Sequence, residues 1–274
     1  MAEKEMSFLD HLEELRWHLV RSFTAIFVVA IVIFANINFV FNEILLAHLK
    51  PDFATYKFFC KTFTTIGIDS SFCDISFNQT LQALNPTQQL MTGIWSSLIL
   101  GFVIAFPYIL WEIWRFISPG LHENEKKKSK GFIFTSSFLF FLGVLFSYYV
   151  ILPMSVYFFY NFEISDAIEN NFKLEAYISL ITNTLIGVAV FFELPVIIFF
   201  LTKIGLITPE FLQKYRKHAL VLVLILSAVI TPPDVASQVI VSVPIMILYE
   251  ISIYVSKYVL KKQNKKNVSK SPRV

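Results

Sequence analysis

The chain has no Gly-x-x-x-x-Gly-Lys-[Ser/Thr] loop to cradle a nucleotide phosphate, no His-Glu-x-x-His pair to hold zinc and no Gly-x-Ser-x-Gly nucleophile elbow. His122-Glu123 lacks the second histidine that a zinc helix needs. These absences argue against a membrane enzyme, so energy for any transport has to come from a partner or an ion gradient. Charge is scarce as well. Asp, Glu, Lys and Arg make up 16% of the 274 residues, against about 25% in soluble proteins. With 55% hydrophobic residues and a mean hydropathy of +0.62, that shortage excludes a soluble monomer. Cysteine is limited to Cys60 and Cys73.

What the chain does have is long apolar runs. A helix needs roughly 20 apolar residues to cross about 30 Å of hydrocarbon, so 274 residues hold about six spans and no large soluble catalytic domain. Runs bounded by charge are Ser22–Phe41, Ile94–Trp114, Phe132–Leu152, Tyr177–Leu201, Ala219–Ile230 and Val239–Val255. The first is about a full bilayer long and has no small-residue cleavage site, so it reads as a permanent span rather than a secretory signal. The last two are short. Ala219–Ile230 covers only about 18 Å as a helix before Thr231-Pro232-Pro233-Asp234 breaks it. A re-entrant hairpin and two short full spans in a thinned bilayer both fit, and both return the chain to its starting side. The expected fold is an all-α integral membrane protein with six transmembrane helices, the last two short.

The Lys and Arg residues in alternate connecting segments number 19 and 4. The positive-inside rule therefore places both termini and the loops at 115–131 and 202–218 in the cytoplasm. This makes residues 1–274 one polytopic membrane domain with a cytoplasmic amphipathic start at 1–21, a periplasmic cap loop at 42–93 and a cytoplasmic basic tail at 256–274. The outer loop is longer than a plain connection needs, so short helices capping the outer face are expected there. Cys60 and Cys73 both fall in it. A bridge between them would stabilise by about 3 kcal/mol in the entropic description; two free thiols are the other reading, and spacing does not choose between them.

Some residues are expensive in a membrane. Glu193 lies inside Gly187-Val188-Ala189-Val190-Phe191-Phe192-Glu193-Leu194-Pro195, where a carboxylate costs roughly 2.5–3.5 kcal/mol on insertion scales. It reads either as lining a polar cavity in the bundle or as a neutral acid bonded to a neighbouring helix. Pro107, Pro195 and Pro244 interrupt apolar runs and bend helices, although proline is common in membrane helices. Near the start, Leu12, Leu15 and Leu19 form one stripe of an amphipathic helix expected to lie along the interface before the chain turns inward. By spacing alone, Glu13 and Glu14 are solvated face residues or intrahelical partners of Arg16 and Arg21. Glu123 and Glu125 sit beside a lysine run and read, on chemistry alone, as neutralising it.

The ordered segments His11-Leu12-Glu13-Glu14-Leu15-Arg16, Phe106-Pro107-Tyr108 with Trp114-Arg115-Phe116-Ile117-Ser118-Pro119-Gly120-Leu121 and Glu125-Lys126, Phe192-Glu193-Leu194-Pro195, and Thr231-Pro232-Pro233-Asp234-Val235-Ala236-Ser237-Gln238 together resemble the TatC family. That family is the multi-span receptor of the twin-arginine protein translocase. The resemblance covers nearly the whole chain. It implies a signal-peptide site lined by Glu14, Glu125 and Phe116, which suits chemistry in which guanidinium groups make forked bonds to carboxylates that lysine cannot reproduce. It implies that Glu193 is the family's intramembrane glutamate. It implies further that Tyr148, Thr231 and Gln238 fall at the positions of the family's polar patch near the outer ends of the spans, the expected docking place of single-span TatA or TatB partners. Asp234 matches an acidic residue of the last outer loop, or simply caps the following helix. The chain departs from the family pattern at Ala47-His48-Leu49, where many members carry a proline, and the cysteine pair is a local addition.

The function expected from this resemblance is a TatC-like core of the twin-arginine translocase in the bacterial cytoplasmic (inner) membrane. It recognises twin-arginine signal peptides of folded proteins, nucleates the translocation site with TatA-type and TatB-type proteins, and runs on the protonmotive force. No enzymatic activity, cofactor, metal or nucleic acid is expected; membrane lipid and further copies of the chain are. A proton- or ion-coupled small-solute transporter using Glu193 is the competing reading. Such transporters often contain internal repeats, and the two halves of this sequence show none.

Overall fold

The computed structural model describes residues 8–66, 73, 81–117, 129–162, 165, 172–230 and 235–270. The helices are α1 (Phe8–Ala35), α2 (Ala54–Ile66), α3 (Gln88–Ile117), α4 (Ser129–Phe146), α5 (Leu152–Asn161), α6 (Leu174–Phe192), α7 (Leu194–Lys203), α8 (Pro209–Lys214), α9 (Arg216–Ile230) and α10 (Val235–Lys270). Among the described residues, pairing outside helices is limited to one isolated parallel bridge between Gln82 and Lys173. Among the described residues, five stretches are long and apolar enough to cross a bilayer: Leu12–Ala35, Gln88–Ile117, Gly131–Asn161, Leu174–Lys203 and Gln238–Gln263. The sixth, α9, has 15 residues, about 22 Å of helix.

Two boundaries differ from the sequence expectation. The amphipathic start does not turn before the first span, because α1 runs unbroken from Phe8 to Ala35 with neither Gly nor Pro to stop it. The last helix continues to Lys270, well past the apolar run ending at Val255, since no breaker follows.

The chain divides into two compact units. The first comprises Met1–Lys50, Asn78–Phe138 and Asn171–Thr182. Its core is the antiparallel contact of α1 with α3. On α3 the small residues Gly93, Ser97, Gly101 and Ala105 recur every fourth position and are buried, forming the kind of stripe that lets membrane helices approach closely. A Cβ at Gly101 would sit 2.9 Å from the Ile26 carbonyl oxygen and 3.1 Å from the Ala30 Cβ. This close approach puts the matching α1 stripe, His18, Ser22, Ile26 and Ala30, against α3.

The second unit comprises Pro51–Phe77, Leu139–Asn170 and Asn183–Val274. Within it the helical path through Gly131–Asn161 takes a π-helical turn at Ser147–Ile151. Pro153 has no N–H to give the Tyr149 carbonyl; the Thr55 hydroxyl of α2 donates to that carbonyl instead. The Tyr56 hydroxyl donates to the Pro153 carbonyl at 3.0 Å, and burial pushes the Tyr56 phenol well above its ordinary value, so it remains a neutral donor. Helix α2 lies within residues 42–93, the stretch read from the sequence as a cap loop, and a disulfide joins its Cys60 to Cys73.

Further along, α9 and α10 form an antiparallel hairpin. Gln238 donates to the Leu224 carbonyl at 2.8 Å, Arg216 pairs with Glu250 at 2.7 Å and the Tyr249 hydroxyl reaches the Leu212 carbonyl of α8 at 2.7 Å. Helix α10 also packs on α7, where the Thr202 hydroxyl donates to Ser256 at 2.8 Å. Ile151, Val188, Phe192, Val223, Val241 and Ile245 make the core of this unit. Gly205, with φ of 81°, ends α7 in the left-handed conformation that glycine adopts without strain.

Candidate functional site

The α1–α3 stripe ends in a polar cluster. His18 is 5% exposed and Glu112 is 1% exposed, and the imidazole Nδ1 is hydrogen-bonded to the Glu112 carboxylate. The other Glu112 oxygen accepts from the Tyr108 hydroxyl at 3.0 Å, one helical turn earlier on the same face. Arg21 brings a guanidinium nitrogen to 3.9 Å from Glu112. A carboxylate taken out of water is tolerated when paired and hydrogen-bonded in this way.

Glu14 joins this cluster from the preceding turn of α1. Its Oε1 lies 4.0 Å from His18 Nε2, and its Oε2 is buried with no hydrogen-bond partner among the described residues. Phe116, on the last turn of α3, sets its ring edge-on to the His18 imidazole with centroids 6.1 Å apart. Glu14 and Phe116, expected at one site, therefore meet at His18. Neither arginine on α1 is the ion-pair partner of Glu14: Arg16 lies over the Trp17 ring and Arg21 faces Glu112. Glu13 is exposed while Glu14 is half-buried, a distinction that spacing did not draw.

His18 and Glu112 are not among the residues that the sequence motifs pick out. The signal for Glu112 was present, because it sits inside the apolar run Ile94–Trp114 just as Glu193 sits inside its own, and the same desolvation argument applies. For His18 no local signal exists.

The remaining expected residues lie elsewhere. Glu193 is 8% exposed at the break between α6 and α7, where its carbonyl accepts from Val196 and Ile197 at 2.9 and 3.0 Å. The break follows from Pro195, which leaves the Phe191 carbonyl without its helical donor. Tyr148 belongs to the aromatic group under α2, 5.7 Å from Phe53 and 5.0 Å from Tyr149 between centroids. Gln238 is engaged in the α9–α10 hairpin. Glu125, Thr231 and Asp234 lie outside the described residues.

A family model described as Sec-independent protein translocase protein (TatC) matches residues 10–244. The chain belongs to the TatC family. Its TatC relatives include the Sec-independent protein translocase protein TatC of Blattabacterium sp. subsp. Periplaneta americana, 43% identical over 262 residues, which spans 95% of this chain and 98% of that one. TatCy of Bacillus subtilis is 33% identical, covering 98% of this chain and 96% of its own length. TatC of Aquifex aeolicus is 33% identical, covering 97% and 100%. Among solved structures, a crystal structure of the twin arginine translocase receptor TatC matches with a TM-score of 0.70 and 33% identity, covering 91% of this chain and 99% of that one. The membrane-protein fold class read from the apolar runs is thus the TatC fold, and the small-solute transporter reading finds no support in these relatives.

Proposed function

We propose that this TatC protein is the receptor of a twin-arginine translocase, binding the paired arginines of signal peptides through the carboxylates of Glu14 and Glu125 beside the Phe116 ring. The supporting observation is Glu14 itself: a half-buried carboxylate with one oxygen buried and no hydrogen-bond donor to it among the described residues. Such an oxygen is costly until a donor arrives, and a guanidinium supplies two in a fork. In this reading both termini are cytoplasmic in the bacterial inner membrane, as the distribution of Lys and Arg argues. The chain assembles with further copies of itself and with TatA-type and TatB-type single-span proteins at the polar patch of Tyr148, Thr231 and Gln238, near Asp234. Transport draws on the protonmotive force, and no chemical step falls to the chain itself.

The test is binding of a labelled twin-arginine signal peptide to the purified full-length protein in detergent. Glu14→Ala and Glu125→Ala are each expected to weaken binding about ten- to hundred-fold, the worth of a hydrogen bond to a charged group. A twin-lysine peptide should bind comparably poorly to the unaltered protein. Free exchange of lysine for arginine, with neither variant affected, would remove the site.

Glu193 is assigned to translocation rather than recognition. In an export assay with membrane vesicles, Glu193→Ala is expected to lower transport at least about ten-fold, since a buried group in a span is rarely idle, while peptide binding stays within about two-fold. Equal loss of binding and transport would refute that division.

A further inference from the structure

A groove of about 540 Å³ lies along the α1–α3 contact, within the size range of small-molecule sites, and the proposed peptide site leaves it unused. Its floor is apolar, made by Ala25, Val28 and Val29 of α1 and Ile104 and Ala105 of α3. The two alanines leave it open where larger side chains would fill it. One end is polar, where Arg21 and Tyr108 stand. From Arg21 to Val29 the groove follows about 12 Å of helix.

Arg21 immediately precedes the apolar run Ser22–Phe41. Trp17, one turn earlier on α1, is exposed, as are Tyr108 and Trp111 on α3. The antiparallel register that bonds His18 to Glu112 sets these aromatic residues at the height of Arg21. Exposed Trp and Tyr mark headgroup level on a spanning helix, so the groove starts at that level and descends along the apolar part of both helices.

The Arg21 side chain is exposed. Its nearest carboxylate, Glu112, is 3.9 Å away, too far for a hydrogen bond, and is already held by His18 and Tyr108. Glu14, two turns outward on α1, lies against His18. Among the described residues the N–H donors of the Arg21 guanidinium therefore make no hydrogen bond, at the level where long cationic side chains of a span reach for the interface.

We infer that this groove seats a phospholipid of net negative charge, its phosphate on Arg21 and one acyl chain along the floor. Charge decides among the occupants. A helix of another protein lying here would cover the guanidinium with apolar side chains unless it brought an acid. The apolar segment of a twin-arginine signal peptide arrives with charges of the same sign as Arg21. A phosphate accepts the guanidinium fork, and the chain beneath it needs only apolar contact. A zwitterionic headgroup carries its own ammonium beside the phosphate, so an anionic lipid gains more from the same contact.

Native mass spectrometry of the full-length protein, released from detergent with dioleoyl-phosphatidylglycerol or dioleoyl-phosphatidylcholine added, reads the affinity for the first bound lipid. The unaltered protein is expected to favour phosphatidylglycerol about five-fold, the worth of one cation beside an anionic lipid. Arg21→Gln should abolish that preference. Lys217→Gln, which removes an exposed cation of α9, should leave it unchanged. Ala25→Leu fills part of the floor while leaving the guanidinium in place, and should weaken phosphatidylglycerol binding several-fold. Equal affinity of the unaltered protein for the two lipids overturns the inference whatever the variants do. So does a preference retained in Arg21→Gln, a preference lost equally in Lys217→Gln, or lipid binding unchanged in Ala25→Leu. Loss of twin-arginine peptide binding in Ala25→Leu, with lipid binding unchanged, would assign the groove to the peptide instead.

Discussion

Replacing Glu112 with alanine is expected to destabilise the protein by about 3–5 kcal/mol, the cost of leaving the groups around a buried, hydrogen-bonded carboxylate without their partner. Glu112 is 1% exposed and holds three groups at once: the His18 imidazole, the Tyr108 hydroxyl and the Arg21 guanidinium. Truncation leaves a buried imidazole and a phenol without their acceptor and opens a void in the α1–α3 contact. The double variant His18→Leu with Glu112→Leu should be much less damaging, because two apolar side chains need no partners and replacing a buried pair with well-packed apolar groups is often neutral or stabilising. Thermal unfolding of the single and double variants in the same detergent measures both. A melting midpoint for Glu112→Ala equal to that of the unaltered protein would mean that the cluster does not hold the two helices together.

Alanine at Gly143 is expected to cost about 1–3 kcal/mol, the range for overpacking a close contact. An added Cβ would lie 2.8 Å from the Ala189 Cα and 2.9–3.0 Å from Phe192. The nearest of these atoms is backbone, so relief requires α4 and α6 to move apart. The same substitution at Gly131, on the same helix, meets nothing within 4 Å. There the higher helix propensity of alanine should leave stability unchanged or raise it by up to about 1 kcal/mol. Melting midpoints of the two variants, measured side by side, should shift in opposite directions or differ by the full overpacking cost. Equal small shifts would refute the close approach of α4 to α6.

Much of the architecture was legible in the sequence because membrane insertion is decided segment by segment. Each run such as Tyr177–Leu201 declares itself by length and hydropathy alone. Helix ends were less legible. Nothing in the composition of Val239–Val255 announced that α10 would run on to Lys270, because lysine and glutamine are good helix formers in water and carry no stop signal. The π-helical turn at Ser147–Ile151 could not be read either, since its unmet carbonyl at Tyr149 is satisfied by Thr55, 94 positions earlier in the chain.

The candidate site divides along the same line. Glu14 and Phe116 were named from their motifs, yet the difference between Glu13 and Glu14 is one of burial, and burial depends on which face α3 covers. Glu112 carries a signal equal to that of Glu193, an acidic residue inside an apolar run. His18 carried none, because a histidine on an amphipathic helix becomes a clamp only when a carboxylate is brought to it from another helix.

By itself, then, the sequence determined that the protein is a helical membrane protein, where its long apolar helices lie, and which motifs mark it as a TatC. These follow from local properties: run length, charge content and the order of short segments. Only the tertiary structure decided that His18 meets Glu112 across 94 residues. The physical reason is register. The small-residue stripe through Gly101 brings α1 and α3 to within backbone contact, and the height at which two antiparallel helices lock sets which side chains face each other. No local pattern encodes that height, because it emerges from the fit of the two surfaces along their whole length.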